Sequence, residues 1–417
     1  MTTKPKTAIL HYSAPPTIGG VESVISAHAK VFVQEGFPIH VIAGNGEEAA
    51  LPKGTEFTNL PLLDSQNKRV LEVNKELKSG IVSEAYKQLR EKIKIQLENY
   101  LTEVDNLIVH NLLSKNFNLA ATDAIISLFE EGKISNLIAW SHDFSFDSEN
   151  DKKFLHGGPP WEILKTYYPK IHYVVVSQER RKILSRILDI PEEKIQVIYN
   201  GFDPNLILGT HDETSDLIKH LKLNDADLIV LMPVRITKAK NIEFAMEIAS
   251  NLQAKDLNPR FILTGPPDPH DPDNMAYFKE LKNKRRSLNI ETLFRFLYEE
   301  NPHSDEPYIL DMEIVADLYR VCDTVLMTSH HEGFGMPIIE AGYSGKTIFS
   351  TKIPAADEIG KEKIHRFSLE EGPEEIAEEI FKWASSNPVH LMRVWTRQNL
   401  TWQKIFDKDI QPLLIGT

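Results

Sequence analysis

The stretch TVLMTSHHEGFGMPIIEAGYSG, residues 324–345, contains a complete strand–loop–helix signal. Residues 324–328 are apolar and β-branched, which is typical of a buried strand. From Pro337 onward the pattern predicts a helix that opens with proline at its first position. Glu332 is therefore expected in a loop at the carboxyl end of a strand, and Glu340 in the first turn of the helix. The segment has the pattern of an α/β domain.

Two glycines and two carboxylates give this stretch its chemical character. Gly333 and Gly335 would let the loop backbone approach a ligand closely, and the N–H groups of residues 336–339 would attract an anion such as phosphate. Glu340 would favour neutral hydroxyls, because an ionised carboxylate only accepts hydrogen bonds and repels phosphate. A nucleotide sugar has both groups. The alternative is turn glycines and a helix-capping glutamate without any ligand.

Strand-like runs alternate with helical patterns almost from end to end, which predicts parallel sheets. Six strands are expected in the first half, beginning near residues 8, 39, 106, 136, 173 and 195. Five more are expected near residues 227, 260, 293, 324 and 347, and the longest helical pattern covers residues 73–101. The aperiodic stretch 200–215 separates the two series. The sequence thus predicts two doubly wound α/β domains, with ligands at the carboxyl ends of the strands and in the cleft between the domains.

Composition excludes several classes of protein. The chain has 417 residues and a net charge of −13, which argues against a general nucleic-acid binder. The densest basic run, residues 282–286, is expected to be a solvated helix face. The single cysteine, Cys322, excludes an internal disulfide and a multi-cysteine metal site. No apolar stretch has transmembrane length, so the expected location is cytoplasmic.

Polar residues and glycines follow several other predicted strands. Arg235 and Lys240 follow the strand at residue 227, where two cations suit a diphosphate. Gly19 and Gly20 precede the first helix, where they could present backbone N–H groups to a phosphate or form only a tight turn. His142 could bind a sugar hydroxyl or act as an acid or base, or it could simply bond a neighbouring carbonyl.

Three other motifs lack the context that their usual functions need. SGKT, residues 344–347, resembles the end of a P-loop, but Glu340 takes the place of the first glycine. The HHE that starts at His330 lacks the second histidine of a zinc helix. The acidic loop 266–274 has oxygen ligands suited to calcium without EF-hand spacing, and we favour a rigid helix-capping loop. His110 is a weaker polar candidate than His142.

Residues 332–345, EGFGMPIIEAGYSG, resemble the E-x₇-E signature of the retaining glycosyltransferases of family 4, which have the GT-B fold of two facing Rossmann-like domains. The resemblance covers nearly the whole chain. It differs from the family pattern at GKTIF, residues 345–349, and at PAADE, residues 354–358, which affects the expected shape of the donor pocket. Further matches follow in chain order: Gly19 and Gly20, SHD at Ser141, VIYNGFD at residues 197–203, Arg235 with Lys240, ILTGP at residues 262–266, and the last helix from residue 399.

The resemblance implies an acceptor-side domain of residues 1–203, joined by a C-terminal helix at about 398–417, and a donor-side domain of residues 204–397. Glu332 and His142 would contact the donor sugar, Glu340 the ribose diol, and Leu297 with Tyr298 the base. Arg235, Lys240 and residues 333–338 would hold the diphosphate without a metal or other cofactor. The implied catalytic set is His142, Glu332, Arg235 and Lys240, and the implied donor-binding set is Gly19, Gly20, Gly265, Leu297, Tyr298, Gly333, Phe334, Gly335, Met336, Pro337, Ile338 and Glu340.

The function that this resemblance implies is hexosyl transfer from a nucleotide-diphosphate sugar to an acceptor hydroxyl, with retention at the anomeric carbon. Because no carboxylate nucleophile is clear, we expect departure and attack on the same face, with the leaving phosphate accepting the proton. The nucleotide, sugar, acceptor and oligomeric state are not readable from the sequence, and peripheral membrane contact stays open. The alternatives are a nucleotide-sugar epimerase of the same architecture and a non-catalytic nucleotide-sugar-binding protein.

Overall fold

The computed structural model describes residues 4–270 and 272–415, which form two compact α/β units. The first unit consists of Met1–Gly201 and Trp402–Thr417, and the second of Phe202–Thr401. The first boundary lies two residues before the expected 203/204, and the chain returns at Trp402 rather than near 398. The reason is local pairing: the Phe202 N–H donates to the Leu400 carbonyl at 2.9 Å, and Phe202 bridges Thr401. Both crossing segments thus pair within the second unit.

The first unit contains a seven-stranded parallel sheet with the order β3-β2-β1-β4-β5-β6-β7. Its strands are β1 (Thr7–His11), β2 (Ile39–Ala43), β3 (Glu56–Asn59), β4 (Asn106–His110), β5 (Asn136–Ser141), β6 (His172–Val175) and β7 (Ile195–Val197). Its helices before the crossing are α1 (Gly20–Gln34), α2 (Lys68–Lys78), α3 (Glu84–Leu101), α4 (Leu119–Glu130), α5 (Glu149–Lys152) and α6 (Gln178–Leu188).

The sequence predictions differ from this unit at two elements. Strand β3 was not predicted, because an edge strand of four partly exposed residues has no apolar run. The single helix expected over residues 73–101 is wrong: α2 ends at Lys78 and α3 begins at Glu84. The break has local causes, since Gly80 has a φ of 79° and the Ser83 hydroxyl caps α3 by accepting from the Tyr86 N–H at 3.3 Å.

The second unit contains a six-stranded parallel sheet with the order β10-β9-β8-β11-β12-β13. Its strands are β8 (Leu228–Met232), β9 (Pro259–Leu263), β10 (Phe294–Phe296), β11 (Thr324–Met327), β12 (Thr347–Thr351) and β13 (His365–Phe367). Its helices are α7 (Pro204–Leu208), α8 (Asp212–His220), α9 (Ile242–Gln253), α10 (Asn274–Ser287), α11 (Met312–Val321), α12 (Met336–Tyr343), α13 (Gly372–Ser386) and α14 (Pro388–Asn399). The short edge strand β13 was not predicted.

Each sheet has an apolar core on both faces. Alternate residues of one strand enter different cores, as Leu10 and Ile9 do in β1 and Val230 and Leu231 in β8. Helices therefore cover both faces of each sheet, and the predicted class of two doubly wound α/β domains is confirmed. The returning segment adds α15 (Trp402–Ile405), a π-turn (Phe406–Ile410) and α16 (Gln411–Ile415) to the first unit.

The strand order of each sheet reverses at one place, between β1 and β4 in the first unit and between β8 and β11 in the second. Ligands of doubly wound sheets bind outside the carboxyl ends of the strands at such a switch point. The loop after β8 carries Arg235 and Lys240, and the loop after β11 carries Glu332. Among the described residues, no helix has the length and apolar character needed to cross a membrane.

Candidate functional site

Glu332 and Lys240 form an ion pair at the switch point of the second unit. The Lys240 ammonium lies 2.7 Å from Oε1 of Glu332, and the Ser329 hydroxyl donates to the same oxygen at 2.6 Å. The Glu332 side chain is only 11% exposed, so little water screens the pair. Because Lys240 neutralises Glu332, the carboxylate does not repel a phosphate bound nearby. Neither Lys240 nor Ser329 binds the second oxygen of Glu332, Oε2.

Three further hydrogen bonds tie together the segments that carry this pair. The Thr328 hydroxyl donates to the Lys240 carbonyl at 2.8 Å, and the His330 N–H donates to the Ala239 carbonyl at 2.9 Å. Thr351, at the end of β12, donates to the Ser329 carbonyl at 2.6 Å. Lys240 itself lies in a 3₁₀ turn that precedes α9, rather than in the helix. The loops after three neighbouring strands thus fix the position of the ion pair.

The start of α12 has fewer free backbone N–H donors than the sequence predicted. Gly335 is the N-cap in the left-handed region, with a φ of 90°, where a side chain would be strained and would meet Ile338. The helix begins at Met336, so Pro337 is its second residue and has no N–H. The Ile338 N–H already donates to the Gly335 carbonyl at 2.9 Å. The predicted donor set of residues 336–339 is therefore wrong for Pro337 and Ile338.

Glu340 lies one residue further along α12 than the sequence suggested, because the helix begins at Met336 rather than at Pro337. The first turn of α12 contains no acidic residue, so Glu340 belongs to the second turn. The Tyr319 hydroxyl in α11 donates to Glu340 Oε2 at 2.6 Å. Burial, then the bond to Glu340, raises the pKa of Tyr319, so this hydroxyl stays a donor at neutral pH. Sequence analysis missed Tyr319, because nothing in the spacing pairs α11 with α12.

Arg235 and Gly265 meet where the loops after β8 and β9 run side by side. The Gly265 N–H donates to the Val234 carbonyl at 3.0 Å, and a Cβ on Gly265 would come within 2.7 Å of the Arg235 Cα. Gly265 thus positions the loop that carries Arg235. The Arg235 side chain is 60% exposed, and its ion-pair contact among the described residues is a long one, 3.9 Å to Asp268. So exposed a guanidinium can turn toward an anion.

The remaining second-unit predictions have mixed outcomes. Leu297 is fully buried, so its side chain does not reach a base and only its backbone remains for contact. Tyr298 is half-buried against Phe278. Asp268 caps its own loop by accepting from the His270 N–H at 3.2 Å. Asp271 of the acidic loop lies outside the described residues, and no group of three potential metal ligands occurs within them.

His142 belongs to a buried cluster of histidines in the first unit. Its Nε2 lies 3.0 Å from Nδ1 of His110, and its backbone N–H donates to the Asn111 side chain at 2.8 Å. Burial, then nearby His11, lowers the pKa of His142 to about 4, so the imidazole is neutral at pH 7. His110, the weaker sequence candidate, is thus the direct partner of His142.

The start of α1 already contains a carboxylate. Gly19 is the N-cap and Gly20 the first helical residue, and the Glu22 side chain folds back against Gly19. A Cβ on Gly19 would lie 2.0 Å from Oε2 of Glu22, while the Ser13 hydroxyl donates to Oε1 at 2.5 Å. A phosphate at this helix start would meet that negative charge. The geometry therefore does not favour Gly19 and Gly20 as a phosphate site. Sequence analysis missed Glu22, whose only signal is its place three residues after a glycine cap.

Comparison with known proteins identifies the second unit. Residues 213–399 match the family model described as glycosyl transferases group 1. This match confirms the resemblance seen in the sequence, and the second unit is a glycosyltransferase domain of this group. The predicted class of enzyme, a glycosyltransferase, agrees with this match.

Individual relatives are more distant. The chain is 25% identical to mannosylglucosylglycerate synthase of Petrotoga mobilis over 339 residues, which cover 76% of this chain and 72% of that protein. It is 26% identical to mannosylfructose-phosphate synthase of Agrobacterium fabrum over 156 residues, 37% of this chain and 32% of that protein. The crystal structure of Anabaena Alr3699/HepE with UDP and glucose aligns with 99% of this chain and 100% of its own, at 18% identity and a TM-score of 0.36.

Proposed function

We propose that the chain transfers a hexosyl group from a nucleotide-diphosphate sugar to an acceptor hydroxyl, with retention at the anomeric carbon. The observation that carries this proposal is the Lys240–Glu332 pair, 2.7 Å apart at the switch point of the second sheet. At this point a cation that would bind the diphosphate lies beside a carboxylate that would bind the sugar. The second unit would be the donor side and the first unit the acceptor side.

The diphosphate would bind to positive groups of the chain, without a metal. Lys240 uses one N–H on Glu332 and has two more for phosphate oxygens. Arg235 would add a forked contact, and the backbone N–H groups of residues 333–336 would add neutral donors. Negative charge grows on the leaving diphosphate as the bond to the sugar breaks, so these contacts strengthen in the transition state.

Glu332 suits a sugar hydroxyl better than it suits the role of nucleophile. Its Oε1 already accepts two hydrogen bonds, and Lys240 neutralises its charge, which weakens it as a nucleophile. Its Oε2 would accept from a hydroxyl of the donor sugar. We therefore propose same-face departure and attack, in which a leaving phosphate oxygen takes the proton of the acceptor hydroxyl.

The other contacts follow from the same placement. Glu340 would accept the ribose diol on its second oxygen, while Tyr319 fixes the first. Tyr298 and the Leu297 backbone would lie near the base. His142, in the first unit, would bind a sugar hydroxyl through Nδ1, since its Nε2 faces His110.

The test begins with a donor screen. Both relatives described above are named for a mannosyl compound, so GDP-mannose is the first donor to try and UDP-glucose the second. A donor at about 100 times its dissociation constant should stabilise the protein by roughly 2.7 kcal/mol. Nuclear magnetic resonance of the product would then report its anomeric configuration in the presence of EDTA. An inverted product, a metal requirement, or epimerisation of the donor without an acceptor would each contradict the proposal.

A further inference from the structure

His11, at the end of β1, has a defined tautomer. Its Nδ1 lies 2.9 Å from the His110 carbonyl oxygen, which can only accept, so Nδ1 must carry the proton. Burial is the largest effect on the pKa of His11 and lowers it, so the ring is neutral at pH 7. A neutral ring with its proton on Nδ1 has a bare lone pair on Nε2.

This lone pair faces a second acceptor. Nε2 of His11 lies 3.8 Å from Oε1 of Glu22, and the two side chains are only 6% and 12% exposed. The separation is too long for a direct hydrogen bond, and Nε2 of His11 carries no proton in this tautomer. Oε1 of Glu22 already accepts from the Ser13 hydroxyl, so Nε2 of His11 is the acceptor for which the described residues provide no hydrogen-bond donor.

The position of Glu22 is not that of an ordinary helix cap. A capping glutamate in the first turn reaches back to the backbone N–H of the cap residue. Glu22 instead accepts from the Ser13 hydroxyl at 2.5 Å and turns toward His11. The Glu22 carboxylate lies against Gly19, and only glycine at this position leaves space for it, because any Cβ would collide with the carboxylate. The loop and the helix together therefore aim the carboxylate at the imidazole.

We propose that Glu22 and His11 form the subsite for the hydroxyl groups of the acceptor substrate. One hydroxyl would donate to Nε2 of His11 and a neighbouring hydroxyl to Glu22, so the subsite selects a sugar or polyol with vicinal hydroxyls. It would reject a phosphate at this position, because of the Glu22 charge. The inference rests on the proposed function, in which the first unit is the acceptor side.

The first test is Glu22→Gln, which keeps the shape and loses the charge. Methyl α-mannoside and methyl α-glucoside serve as acceptor probes with GDP-mannose or UDP-glucose. The acceptor KM should rise about tenfold or more, while donor hydrolysis without acceptor stays within about twofold. Glu84→Gln is the matched control, because Glu84 is also a first-turn glutamate but is exposed and pairs only with Lys87. An acceptor analogue that lacks the bound hydroxyl should bind the wild type and Glu22→Gln equally well.

A second variant moves Glu22 without replacing it. Gly19 has an extended φ of −170°, so Gly19→Ala does not strain the backbone, but its Cβ would displace the Glu22 carboxylate. Gly19→Ala should therefore raise the acceptor KM in the same direction as Glu22→Gln. Gly20→Ala should have a smaller effect, because its Cβ meets open space.

The outcomes separate this inference from the function on which it rests. A wild type that neither binds nor hydrolyses any nucleotide sugar would overturn both. A wild type that transfers sugar, with unchanged acceptor KM in Glu22→Gln and Gly19→Ala, would overturn the subsite alone. Binding of an amine in place of the hydroxyl probes would also overturn it.

Discussion

The helix starts of α1 and α12 each lie beside the switch point of their own sheet, and they differ in charge. Both follow a strand next to the switch point, and both are capped by a glycine. The first turn of α1 contains Glu22, whereas the first turn of α12 contains no acidic residue. A helix start attracts anions through its dipole, but a carboxylate already there satisfies that attraction. Only α12 is therefore suited to phosphate, and α1 is suited to neutral donors.

The largest expected effect concerns the second unit. Lys240→Ala removes the cation that neutralises Glu332 and binds phosphate, so kcat/KM for the donor should fall by about 3 kcal/mol, roughly a hundredfold. Steady-state kinetics and calorimetry with the nucleoside diphosphate would measure the loss. Lys238→Ala is the matched control, since Lys238 lies in the same 3₁₀ turn but is exposed. Equal losses in the two variants would mean that the loop, not the Lys240 charge, matters.

The second prediction makes α12 resemble α1. Met336 is exposed at the first position of α12, so Met336→Glu places a carboxylate at this helix start. The change should weaken nucleoside diphosphate binding by about 2 kcal/mol through repulsion, although it favours the helix dipole. Calorimetry at low and high salt would show whether the loss is electrostatic. Met336→Gln controls for shape, and equal weakening by Gln would argue against a phosphate at α12.

The third prediction concerns acid stability of the first unit. His28 is fully buried beside Trp140 and Trp402, and no described residue bonds either ring nitrogen. Burial, then His142, lowers the pKa of His28 to about 3, so the unfolded state binds its proton more readily. The stability that His28 contributes is complete above about pH 6.5 and falls as the pH drops toward 3, with a loss of about 2 kcal/mol at pH 5.

His28→Phe tests this loss. The variant should show less destabilisation between pH 7 and pH 5 than the wild type, by about 2 kcal/mol in denaturant unfolding. His172→Phe is the control, because His172 is exposed in β6. An unchanged pH dependence in His28→Phe would show that this histidine is not forced to stay neutral.

The smallest expected effect separates the role of Glu332, in the loop after β11, from that of Glu340, in α12. Tyr319→Phe removes the hydroxyl that fixes Glu340 and leaves Glu332 untouched, so nucleoside diphosphate affinity should fall by about 1 kcal/mol. The kcat of Tyr319→Phe with the full nucleotide sugar should stay close to that of the wild type. Tyr343→Phe is the control, since Tyr343 lies on α12 with Glu340 and is almost fully exposed. A large fall in kcat at unchanged affinity would assign Glu340 to the sugar instead.

The sequence predicted the regular elements better than their ends. Eleven predicted strands, including β1, β8 and β11, are present because apolar runs and glycine-rich ends are local signals. The edge strands β3 and β13 are short and partly exposed, so their pairing depends on neighbours that the sequence does not show. Glu340 was expected in the first turn of its helix and lies just beyond that turn, because the helix begins one residue earlier, at Met336 after the Gly335 cap.

Residue types and their order along the chain predicted Arg235, Lys240 and Glu332 after strands and Gly335 in the loop before a helix, since strand ends and helix starts have local sequence patterns. The contacts between these residues and others required the folded sheet. Lys240 and Glu332 are 92 positions apart, and Tyr319 meets Glu340 across two helices. The tautomer of His11 depends on a carbonyl 99 positions away. Hydrogen bonds of this kind depend on distances that only the packing of parallel strands and helices brings about.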